Sequence, residues 1–162
     1  MKQFIALYFL FLGGLYLLFY LPHSFLALWL NQTQTHLTLS VLELFLKAEQ
    51  LQGQDIWINP QYKIVITSLC NGLIPLLFLY ASLLAYPSSI IQKIVWIIGG
   101  YIVFFVVNVL RILWVVFVTE QGSGQEAFYW SHDIVGNGFL MLTGLGLFIL
   151  FIKQSTKYSK NV

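Results

Sequence analysis

Three side chains carry the means for chemistry in this sequence: Cys70, Arg111 and His132. Cys70 is the only cysteine and stands where a polar, strand-like segment meets a long apolar run. Arg111 lies inside an apolar stretch, residues 94–118, and His132 opens another, residues 133–152. A thiol, a base and a fixed cation brought to one place would suit nucleophilic acyl chemistry. The sulfur attacks a carbonyl, the imidazole moves a proton, and the guanidinium meets the developing charge.

Taken singly, each has an ordinary reading. A lone cysteine is most often a small buried hydrophobe. Arg111 snorkels to an interface or pins a carboxylate such as Glu120 or Asp133. His132 is a helix-start residue, as His23 and His36 can be. The surroundings shift the balance. A charge inside a span costs several kcal/mol and ordinarily faces a polar cavity or a partner (~3 kcal/mol on insertion scales). Asn108 lies one turn from Arg111 on the same face, placed to orient the guanidinium or line a pocket. Cys70 sits at an expected helix N-terminus, which favours the thiolate, and a nearby cation adds to this. Gly72 allows an extended substrate to approach the backbone, Asn71 lies between the two, and Asp133 either caps the last helix or orients the imidazole.

The elements that must position these residues are membrane spans. The chain has 162 residues, 59% hydrophobic and 9% charged, with mean hydropathy +0.81, far below the charge content of a soluble domain. The net charge of +2 is too small to suggest a nucleic-acid partner, and a single cysteine excludes an internal disulfide and any multi-thiol metal site. No metal and no cofactor is expected.

The pattern predicts an all-α membrane protein, one integral domain over residues 1–162. About four transmembrane helices, at 4–22, 70–86, 94–118 and 133–152, form a bundle. The first run lacks a small-residue cleavage site and reads as a retained helix rather than a signal peptide. Residues 31–35 read as a polar loop, and residues 37–51 as an amphipathic helix on the bilayer surface. Alternation on both sides of Asn59-Pro60, over residues 53–66, predicts a short β-hairpin running into Cys70. Residues 120–131 read as a polar loop, and the glycines of the last span, Gly136, Gly138, Gly144 and Gly146, as sites of tight helix packing.

Lys2, Lys93, Lys153, Lys157 and Lys160 flank one side of such a bundle, so both termini are expected in the cytoplasm. Residues 23–69 and 119–132 then face the extracytoplasmic side. Arg111 lies about 26 Å along its helix from Lys93, which carries it to the outer boundary with Cys70 and His132.

Cys70-Asn71-Gly72, Asn108-Val109-Leu110-Arg111 and His132, in this order at the outer ends of successive spans, resemble the exosortase/archaeosortase family of integral membrane cysteine transpeptidases. That family shows Cys-x-Gly, then Asn-x-x-Arg, then a lone histidine, and the resemblance covers about residues 50–150. It implies Cys70 as nucleophile, Arg111 as stabiliser and His132 as acid/base. It also implies a function: cleaving the C-terminal sorting signal of exported proteins, a short motif followed by a transmembrane helix and a basic tail. The chain is shorter than many members, which leaves the substrate motif open.

A rival from another class is a non-enzymatic assembly or transport subunit, with Arg111 holding an anionic lipid or a partner's carboxylate. A redox role is disfavoured by the lack of a second cysteine. Apart from membrane lipid, the expected partner is a sorting-signal helix.

Overall fold

The computed structural model describes residues 2–19, 24–47, 49–122 and 125–159. His23 and Lys160, which entered the sequence reading, lie outside the described residues. In chain order the elements are α1 (Lys2–Phe19), α2 (Phe25–Leu42), β1 (Leu51–Gln52), β2 (Asp55–Asn59), β3 (Tyr62–Val65), a 3₁₀ turn (Ser68–Asn71), α3 (Leu73–Ala85), α4 (Ile90–Gln121), α5 (Gln125–Phe128), a π-helical segment (Tyr129–Gly136) and α6 (Asn137–Ser159). The protein is mostly α, with long apolar helices and one small sheet.

Among the described residues, three helices are long and apolar enough to cross a membrane: Lys2–Phe19, Ile90–Gln121 and the continuous run Gln125–Thr156. The expected fourth span is shorter. Of residues 70–86, the 3₁₀ turn and Gly72 take the first part, and Tyr86 ahead of Pro87 is biased away from helix. That leaves the 13 residues of α3, about 20 Å of helix. The α4 span is correspondingly longer than residues 94–118. Ser89 starts it early, its Oγ accepting from the Gln92 amide at 3.3 Å.

The chain falls into two compact units. The first comprises residues 1–28, 73–104 and 141–162. Within it Tyr80 Oη donates to the Ile97 carbonyl (3.1 Å), Lys93 Nζ to the Leu84 carbonyl (2.7 Å), and Trp96 Nε1 to Gln154 Oε1 (2.7 Å). Phe151 is fully buried among the rings of Tyr86, Trp96 and Phe148. Residues such as Phe9, Leu10, Ile94 and Ile98 are exposed, the surface expected of helices solvated by lipid.

The second unit, residues 29–72 and 105–140, carries the site. Its core gathers Leu42 of α2, Ile56 and Ile64 of the sheet, Ile66, and Val109, Ile112, Val115 and Val116 along one face of α4. The sheet is antiparallel in the order β1-β2-β3. The expected hairpin is β2–β3, pairing Ile56 with Ile64 on the buried face and Trp57 with Lys63 on the other. Its turn closes where the Gln61 amide donates to Asn59 Oδ1 at 2.9 Å. Lys63 Nζ bonds Asp55 Oδ2 at 2.6 Å and sits over the Trp57 ring.

Three expectations are corrected by the backbone. Residues 31–35 are not a loop, and the helix is not at 37–51. One helix runs from Phe25 through the polar stretch to Leu42, and the chain then turns toward β1. The loop at 120–131 is also mostly helical, since α4 reaches Gln121 and α5 begins at Gln125.

Candidate active site

Gly72 sets the position of Cys70. It is the residue after the 3₁₀ turn, with φ 65°, a left-handed conformation that glycine adopts without steric strain. The chain thereby turns between the sheet and α3, leaving Cys70 buried, 6% exposed, in the middle of the turn. The Cys70 amide donates to the Thr67 carbonyl at 2.9 Å.

The Cys70 sulfur lies 3.8 Å from His132 Nε2, 3.9 Å from Thr67 Oγ1 and 4.0 Å from the Val65 carbonyl oxygen. On the far side of the imidazole, His132 Nδ1 is 2.7 Å from Asp133 Oδ1. Sulfur, imidazole and carboxylate thus form one hydrogen-bonded chain, an arrangement suited to moving a proton off the thiol. Phe128 stacks on the imidazole at 4.9 Å between ring centroids and 11° between planes, fixing its tilt. Burial pushes the Cys70 thiol up. Hydrogen bonds with His132 and Thr67, together with the charge of His132, outweigh burial and hold its pKa below the ordinary thiol value.

His132 reaches the sulfur from an unusual backbone. The π-helical segment Tyr129–Gly136 joins α5 to α6, and such wide turns re-aim side chains and are frequent at functional positions. Gly136 ends the segment where Arg111 crosses it. A Cβ there would stand 2.9 Å from Arg111 Cδ and 2.9 Å from the Ser131 carbonyl oxygen.

Arg111, 4% exposed, is held at two points: Nη2 donates to the Cys70 carbonyl oxygen (3.1 Å) and Nη1 to Asn137 Oδ1 (2.8 Å). Asn108 Nδ2 donates to the same Cys70 oxygen at 2.9 Å. One carbonyl therefore receives two side-chain donors from successive turns of α4. Arg111 Nε is buried and makes no hydrogen bond within the described chain.

Asn71 engages α2. Its Nδ2 donates to Thr35 Oγ1 (3.1 Å) and Asn31 Oδ1 (3.2 Å), while Gln34 Nε2 donates to its carbonyl (2.6 Å). The carbonyls of Cys70 and Asn71 are thus pinned in succession. Gly72 does not leave room for a substrate, as the sequence suggested. The space beside it holds Leu140 Cδ1 and Asn108 Oδ1, at 3.1 and 3.3 Å from where a Cβ would be.

The family model of transmembrane exosortases matches residues 3–151. The chain belongs to the transmembrane exosortase family. No curated protein and no solved structure matches it significantly.

In this exosortase the matched region contains every residue just described. The structure brings Cys70, Asn108, Arg111, His132 and Asp133 together, with Asn71 and Gly72 completing the turn that carries Cys70. Sequence reasoning missed Asn137, Thr67, Phe128 and the α2 trio of Asn31, Gln34 and Thr35. Asn137 had a signal, being four residues beyond Asp133 on the same helical face. No group of three or more His, Cys, Asp or Glu side chains able to hold a metal occurs among the described residues.

Proposed function

We propose that this exosortase is a membrane-embedded cysteine transpeptidase that cleaves the C-terminal sorting signal of exported proteins on the extracytoplasmic side. The observation that carries this reading is the relay from Cys70 Sγ to His132 Nε2 at 3.8 Å and from His132 Nδ1 to Asp133 at 2.7 Å.

A substrate helix enters beside the protein and presents an extended segment to Cys70. The thiolate attacks a peptide carbonyl carbon, forming a C–S bond and an oxyanion. The guanidinium of Arg111, with N–H groups beyond the two it uses within the chain, stabilises that charge in a water-poor setting. As the C–N bond breaks, His132 gives its proton to the leaving amine. It then takes a proton from water or an acceptor amine, which attacks the thioester and frees the thiol. Strand β3, one of the two edge strands of the sheet, leads within a few residues to Cys70 and supports strand addition of the cleavage motif. The lysines at positions 2, 93 and 153 favour the cytoplasm and support a site facing outward.

The test is to express Cys70→Ala and Cys70→Ser with an exported protein bearing such a signal. Processing is lost in both while membrane insertion persists. Trapping a thioester on Cys70 and identifying the attached peptide by mass spectrometry names the substrate. A processing-competent Cys70→Ala protein overturns the mechanism.

A further inference from the structure

We infer that the substrate residue lodged beside Cys70 carries a small, uncharged side chain, of alanine size. This rests on the cysteine-transpeptidase reading and adds specificity to it. A narrow recess adjoins the sulfur, walled by Ile64 and Ile66 of β3 and its continuation, by Ile112, Val115 and Val116 of α4, and by Phe128, with Cys70 and His132 completing the wall. No lysine, arginine, aspartate or glutamate lines it. A charged side chain entering it would lose its water and find only His132, whose ring nitrogens already face Cys70 and Asp133.

Size excludes the other extreme. The recess has room for roughly one water-sized group, so an aromatic ring enters only if the walls part. Those walls belong to the buried core of this unit: Ile66 is 1% exposed, Val115 2% and Val116 3%. Because the nucleophile and its base form part of the wall, a group seated there belongs to a residue flanking the carbonyl under attack.

The experiment uses the full-length protein in bilayer discs and three probes, the chloromethyl ketones of acetyl-alanine, acetyl-phenylalanine and acetyl-aspartate. Each transfers its methylene carbon to sulfur with loss of chloride. Iodoacetamide, which has no side chain to place, is the reference. Relative to iodoacetamide, the alanine reagent labels Cys70 about tenfold or more faster than the other two. Val115→Ala, and independently Val116→Ala, raise the phenylalanine-to-iodoacetamide ratio about tenfold without helping the aspartate reagent. Equal normalised rates in the wild-type protein, or an order unchanged by both enlargements, overturn the inference while leaving the nucleophile intact. Iodoacetamide labelling no faster than that of an ordinary buried thiol overturns the cysteine-transpeptidase reading, and the recess assignment falls with it.

Discussion

Arg111 grips Cys70 by its main chain: Nη2 lies 3.1 Å from the carbonyl oxygen of the residue that carries the sulfur. The cation is therefore tied to the turn that carries the thiol. The bond fixes the turn, and the second anchor at Asn137 fixes the guanidinium plane. Catalytic groups act best when held in advance of the reaction, and this contact performs both parts of the holding.

Replacing Arg111 by Lys separates charge from geometry. An ammonium keeps the positive charge but has no planar fork to reach two fixed acceptors. On the proposed mechanism, Arg111→Lys lowers sorting-signal cleavage about 10²-fold, close to the loss caused by Arg111→Ala. Cleavage assays on membranes, with protein levels matched, check this. Near-normal activity in the lysine variant shows that charge alone suffices.

Asn108 and Arg111 share one acceptor, so their losses do not add. Asn108→Ala removes one of two donors to the Cys70 oxygen, a loss of about 1 kcal/mol with the other in place. With both gone the buried carbonyl is left unpaired, and the double variant loses more than the sum. A double-mutant cycle read by iodoacetamide labelling of Cys70 reports a coupling of about 1 kcal/mol or more.

The thiol's acidity gives a pH signature. Its pKa is held down in the folded protein, so the proton leaves at a pH where an ordinary thiol still keeps it. Labelling of Cys70 by iodoacetamide consequently rises along a curve whose midpoint lies below that of free cysteine. In His132→Ala the hydrogen bond and charge that lower the pKa are gone, and burial moves the midpoint upward. Coincident curves for the two proteins assign the lowering to another group.

Cys70, Arg111 and His132 were legible in the sequence because an apolar chain makes polar residues conspicuous, and a buried charge needs a reason. What holds them was not. Residues 31–35 look like a loop because their side chains are polar, yet Gln34 and Thr35 are buried in a helix and hydrogen-bonded to Asn71, 37 and 36 residues away. Local composition carries no record of that partner. The length of α3 was misjudged for a related reason: Gly72 spends the start of the apolar run on a left-handed turn. The π-helical backbone under His132 has no local signature, so only His132's place near the start of the last helix was readable, not its aim.

Two glycines, one ending the π-helical segment and one in the first turn of α6, give the sharpest test of how Arg111 is held. At Gly136 a methyl group would meet Arg111 Cδ at 2.9 Å, Arg111 Cγ at 3.1 Å and the Ser131 carbonyl oxygen at 2.9 Å. The carbonyl is backbone and yields little. The arginine stem is flexible by nature, but here its guanidinium is bound to Cys70 and Asn137, so moving the stem strains or breaks those bonds. At Gly138 a methyl group would meet nothing within 4 Å. Gly138→Ala thus leaves cleavage and labelling near wild type, within about 0.5 kcal/mol, as surface substitutions do. Gly136→Ala, made of the same atoms two residues earlier, lowers both about tenfold or more, through overpacking of about 1–3 kcal/mol. Equal behaviour of the two variants in both assays shows that Arg111 reaches its partners without needing the gap at Gly136.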